Sequence, residues 1–168
     1  MRAAPNWREV PVPLLMAGRP RDERGFPITF VTLVENGTPD FTTISSEQLV
    51  VCIRGRLCGL CGHRLHDGEA AFIGGPGAIE AGAFLDAHMH RECATYAMKV
   101  CPHIASPNAH YKKQQPDNRE QVEFASTERP DTFFLLVAPW YQVVSYQGQP
   151  VFVVDPDACE ITSQEHIA

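Results

Sequence analysis

The chain has 168 residues and a net charge of −6, long enough to bury a core without metal or disulfide staples. That acidic balance disfavours a protein whose main work is gripping phosphate backbones, and leaves room only for a local basic patch. There is no run of 18 apolar residues to span a membrane, and the start Met1-Arg2-Ala3-Ala4-Pro5-Asn6-Trp7 lacks the apolar centre of a signal peptide, so the expected location is the cytoplasm.

Residues 1–27 carry five prolines with charges between them and suggest an extended N-terminal arm. Residues 28–34 are β-branched and aromatic and predict a strand. Asn36-Gly37 is a strong turn signal, and residues 41–44 form a candidate return strand. Ser45, with Gln48 three residues later, predicts a capped helix with Leu49, Val50, Ile53 and Leu57 at helical spacing. Residues 58–68 are turn-rich. Two short apolar runs, 70–73 and 78–85, flank Gly74-Gly75-Pro76-Gly77 and suggest a hairpin. A helix is expected from His88 or His90 to Cys101, stopped by Pro102. Residues 105–130 are expected to be a linker, with a short helix conceivable at 119–126. Residues 132–138 predict a strand. The segment 131–168 ends in a hairpin around Gln147-Gly148, and Asp155-Pro156 suits a helix start or a turn. The fold class expected is α+β over residues 28–104, with N- and C-terminal strands meeting in one small antiparallel sheet.

Six cysteines in a reducing compartment suggest metal ligands or buried thiols before disulfides. Cys58-Gly59-Leu60-Cys61 is a Cys-x2-Cys pair in a glycine-containing turn, where both sulfurs can reach one ion and backbone amides can donate to them. His90 and Cys93 stand at i and i+3 and share a helix face. Twenty-eight residues separate the pairs, enough for a hairpin that returns the helix beneath the turn. Knuckle, hairpin and helix with two ligands in its first turn make a treble clef. The set Cys58, Cys61, His90 and Cys93 is a closed Cys3His site, which points to structural Zn²⁺. His88 competes with His90 for the fourth position, while His63 and His66 lie near enough to be considered. Cys101, eight residues past Cys93, lies about 12 Å further along the helix. Cys52 and Cys159 suggest plain thiols.

Catalytic readings are weaker, and the balance leans away from an enzyme. Three thiolates make zinc a poor Lewis acid. His88 in Asp86-Ala87-His88-Met89-His90 nevertheless invites comparison with His-metal (HNH-like) nucleases. A redox dithiol at Cys58/Cys61 is a further alternative, although it wants a βαβ context. Arg54, Arg56 and Arg64 flank the knuckle with no acid between positions 52 and 66, a local patch suited to a protein partner or a nucleic acid.

The stretch from Arg56-Leu57-Cys58-Gly59-Leu60-Cys61-Gly62 through His90-Arg91-Glu92-Cys93-Ala94 to Val100-Cys101-Pro102-His103-Ile104 resembles a group of small uncharacterised bacterial and phage proteins. These share a Cys-x2-Cys-Gly, a Gly-Pro loop, a His-x2-Cys-Ala and a terminal Cys-Pro. Gly25-Phe26-Pro27 and residues 151–156 extend the similarity over most of the chain. The resemblance implies a zinc-bearing architecture, with Cys101-Pro102 as a helix stop packed beneath the site, and an association with phage or prophage. It carries no activity.

Overall fold

The computed structural model describes residues 7–105 and 129–167. Much of the segment expected to be a strand over residues 28–34 has another task. The N–H groups of Phe30 and Val31 donate to the carbonyls of Leu60 and Gly59, 3.0 Å each. Their donors brace the Cys-Gly-Leu-Cys turn, so strand β1 starts late and spans Thr32–Glu35. It pairs with β2, Thr38–Ile44, across Asn36-Gly37. Both turn residues have positive φ, as a type I′ hairpin requires.

Residues 41–43 bulge from β2 between the Thr32↔Ile44 and Leu33↔Asp40 pairs. The Asp40 carboxylate holds the bulge, accepting from the Thr42 N–H, the Thr42 hydroxyl and the Thr43 hydroxyl. The bulge carries Phe41 to Phe26, ring centroids 5.7 Å apart, and Phe26 meets Trp7 edge-on at 5.1 Å. Arg24 lies over both phenylalanines and Arg8 over Trp7. The described part of the arm is therefore folded back on the hairpin. Two 3-10 turns shape it, Trp7–Glu9 and Leu14–Met16, and Met16 reaches the core.

Helix α1 spans Ser46–Gly55, and the Ser45 hydroxyl accepts from the Gln48 N–H at its start. It buries Cys52 and half-buries Leu49 and Ile53, while Val50 and Val51 face solvent. The buried stripe is thus rotated from the one the spacing suggests. Arg56 closes the helix in the left-handed conformation, φ 51°.

The hairpin expected between the ligand pairs does not form. Strand β3, Ala70–Gly74, is followed by helix α2, Pro76–Ala81, and by β4, Ala83–Phe84. Pro76 is the first helical residue, where its fixed φ helps and its missing N–H costs nothing. A glycine-proline cluster that suggests a turn is here a helix start.

β3 and β4 then enter different sheets. β3 pairs antiparallel with β5, Phe134–Ala138, and β5 with β8, Glu160–Ser163. β4 pairs with β7, Gln149–Val153, which pairs with β6, Gln142–Tyr146. Gln147-Gly148 closes that hairpin with two positive φ values. The class is α+β with small antiparallel sheets, but its N- and C-terminal strands do not share one. Among the described residues β1 and β2 pair only with each other, and the C-terminal strands pair with the middle of the chain.

Helix α3, Arg91–Val100, packs across β3 and β5. Cys101 ends it, and a short helix α4, Pro102–Ala105, follows. Phe72, Phe84, Leu136 and Phe152 lie at the centre of the core, with the faces of Cys58, Cys61 and Cys93 at its margin. The expected linker, and the short helix conceivable at 119–126, fall on residues 106–128, outside those described.

Candidate metal centre

Cys58 and Cys61 sit in a tight turn made by three backbone hydrogen bonds. The Cys58 N–H donates to the His63 carbonyl, the Gly62 N–H to the Cys58 carbonyl, and the Leu65 N–H to the Arg56 carbonyl, each at 2.8 Å. Gly62 takes φ 79°, which L side chains rarely adopt, and its α-carbon faces the Phe30 ring. Gly59 is needed for space, since a Cβ there would stand 2.7 Å from that of Ala87. Its N–H donates to the His88 carbonyl at 2.9 Å, which brings the approach to α3 against the knuckle. Met89 bridges to Ala71 through two backbone bonds, fixing the same approach to β3.

The result is a buried cluster. Cys58, Cys61, His90 and Cys93 each offer one ligand atom, and these atoms lie within 4.8 Å of one another. A tetrahedral ion with bonds of about 2.3 Å would space its ligands by roughly 3.8 Å, so the four fit one metal. His90 is the N-cap of α3 and Cys93 lies in its first turn. The Cys61 Sγ and His90 Nδ1 are 3.3 Å apart, while His90 Nε2 stands 2.9 Å from the Arg64 carbonyl. A carbonyl only accepts, so Nε2 carries the proton and Nδ1 presents its lone pair to the cluster.

The sulfurs receive backbone donors as well. The His90 N–H points to Cys58 Sγ and the His63 N–H to Cys61 Sγ, both at 3.4 Å. Cys58 is held well below the ordinary thiol range, first by hydrogen bonds from Cys61 and Cys93. The same hydrogen bonds push the Cys61 and Cys93 thiols up, so the three sulfurs share one negative charge, and a cation at their centre would let all three ionise.

His88 is elsewhere. Its side chain is wholly buried, and Nε2 stands 3.3 Å from the Cys52 carbonyl in the last turns of α1. Its ring lies 5.0 Å from that of Tyr141 and 5.1 Å from that of Phe152. Burial pushes its pKa down to about 4. It offers no surface to a substrate and takes no part in the cluster. His63 and His66 are exposed on the knuckle, with the His66 ring 4.9 Å from that of His90. Cys52 and Cys101 also lie outside the cluster, and burial raises both thiols, Cys52 to about 12.

The arginines divide. Arg54 and Arg64 are exposed, whereas Arg56 is half-buried with its guanidinium 5.6 Å from the Tyr141 ring centroid. Spacing alone did not reveal the outer support: the Arg64 carbonyl, the two N–H donors, and the ties from Phe30 and Val31. Backbone atoms carry nearly all of it, and these leave no residue-type signal. Compared with family models, curated proteins and solved structures, the chain finds no match.

Proposed function

We propose that this is a structural-zinc protein that acts by contact with a partner rather than by chemistry. The carrying observation is the buried Cys3His cluster, its four ligand atoms within 4.8 Å of one another. Three sulfurs and one imidazole, all buried, suit a closed tetrahedral zinc site and leave no position for a reacting water. Zinc, when bound, supplies cross-linking: it ties the knuckle at 58–61 to the first turn of α3. Knuckle followed by ligand-bearing helix supports a treble-clef-like reading, with a strand and a short helix where that arrangement has a hairpin.

The partner surface in this reading is the outside of the knuckle. Arg64 projects there beside His63 and His66, whose backbone the knuckle fixes, and Arg54 stands in the last turn of α1 just before it. A protein with an acidic face or a nucleic-acid backbone meets that chemistry. The resemblance to bacterial and phage proteins is consistent with such a role. A nuclease reading through His88 has the full burial of that side chain against it.

Metal analysis of the purified protein tests the proposal. The expected content is one zinc per chain, lost together with structure on Cys58→Ser. A folded protein free of metal when purified with zinc present refutes it. For the partner surface, Arg54→Ala/Arg64→Ala is expected to abolish salt-sensitive binding to polyanions while retaining zinc.

A further inference from the structure

Every residue of β6 is exposed, although Val143 and Val144 are apolar and Trp140, just before the strand, is half exposed. Among the described residues no strand pairs with its outer edge. Edge strands of monomeric proteins are commonly blunted by a charge, a proline or a bulge. β6 carries none of these and pairs with β7 in unbroken register. From Thr132 to Val154 the chain has no Asp, Glu, Lys, Arg or His.

The register decides which backbone groups face outward. A two-residue turn closes on a hydrogen-bonded pair, here Tyr146 and Gln149. Bonded and non-bonded pairs alternate, so Val144 and Gln142 also bond toward β7. Val143 and Ser145 therefore point their N–H and C=O groups away from β7. Pro150 stands opposite Ser145 in a non-bonded pair, where its missing N–H costs β6 nothing.

We propose that β6 pairs antiparallel with β6 of a second copy of this chain, about a two-fold axis at Val144. Two three-stranded sheets then join into one of six strands. Val143 exchanges both backbone bonds with Ser145 of the second copy, and Ser145 does so with Val143 of the second copy. Val144 meets its own counterpart in the close, non-bonded pair, and Gln142 faces Tyr146 of the second copy. The outward groups match this register without a slip, so the strand is complementary to itself. Charge selects the occupant. Copies carrying −6 each repel over most of their surface, and here they meet with no like charges brought together. A two-fold contact closes on itself, so assembly stops at the dimer.

Sedimentation equilibrium of the zinc-loaded full chain, from about 1 to 200 µM, tests this. A dimer is expected, and Val144→Lys is expected to return the monomer. Ser145→Pro removes one outward donor per copy and no β6–β7 bond. With two bonds lost per dimer, its dissociation constant should rise by roughly thirtyfold, with circular dichroism and zinc content unchanged. Hydrogen exchange should protect the Val143 and Ser145 amides in the concentrated wild type, release both in Val144→Lys, and release the Val143 amide in Ser145→Pro. A wild type monomeric throughout overturns the proposal. So does a dimer indifferent to both substitutions, or a monomer whose β6 is occupied by a strand of another protein.

Discussion

Gly62→Ala is the sharpest perturbation of the metal knuckle that leaves all four ligands in place. Gly62 has φ 79°, and a Cβ would stand 2.7 Å from Cδ2 of Phe30 and 3.2 Å from its Cγ. Gly37 has nearly the same φ, 80°, with nothing within 4 Å of a new Cβ. Both alanines pay for a left-handed backbone, about 1–2 kcal/mol. Only Gly62→Ala must also displace a ring, which adds about 1–3 kcal/mol. Phe30 cannot retreat easily, because its N–H is bonded to the Leu60 carbonyl inside the same turn. The expected losses are about 1–2 kcal/mol for Gly37→Ala and about 2–5 kcal/mol for Gly62→Ala. Urea unfolding of the zinc-loaded protein measures both. The difference should largely vanish in a Phe30→Ala background, since the two sites are coupled through that contact. Equal costs for the two glycines, or a difference that survives Phe30→Ala, would refute the packing of the pre-β1 segment against the knuckle.

Other outcomes follow from neighbouring features. His88→Ala should cost about 2–4 kcal/mol, chiefly for the cavity left between Tyr141 and Phe152, since the Cys52 carbonyl keeps the Leu57 N–H as a donor, and should leave zinc stoichiometry unchanged by metal analysis. Arg91 bridges Glu69 and Glu160 at 2.8 Å each, but all three side chains are well exposed, so Arg91→Ala should cost less than about 1 kcal/mol in the same assay. Burial raises the Asp22 carboxyl, but hydrogen bonds from Phe26 and Arg24 outweigh this and hold it below its usual range. A depressed carboxyl stabilises above its unfolded pKa and loses that contribution as pH falls through the folded one. The arm should therefore loosen only in strong acid, read from Trp7 fluorescence in a Trp140→Phe background, and Asp22→Asn should remove that step.

The clustering of Cys58, Cys61, His90 and Cys93 was legible because it is written in residue types: two cysteines in a glycine-rich turn, then His and Cys one helical turn apart. The two I′ hairpins at Asn36-Gly37 and Gln147-Gly148 were legible for the same reason. What surrounds them was not. Residues 28–31 have strand chemistry, yet the Phe30 and Val31 donors go to Leu60 and Gly59, a choice set by a contact about thirty residues away, and the Ile28 donor goes to Pro20. Gly75-Pro76 suits a turn and a helix start equally, and the helix prevailed because β3 and β4 found separate partners at the far end of the chain. β8 carried no clear strand signal, since Glu160-Ile161-Thr162-Ser163 has only short β-branched content and owes its form to the open edge of β5.

The pairing of β3 with β5 also bears on how the protein is made. All four ligands lie between positions 58 and 93, while the strand that backs β3 begins at Phe134. During synthesis the cysteines and His90 leave the ribosome roughly forty residues ahead of that strand, at about 5–20 residues per second. For some seconds the four cluster residues are outside the ribosome without the sheet that shelters them in the finished fold. Strand arrival then competes with thiol oxidation in that interval, and the rate of translation becomes one of the conditions under which the cluster is built.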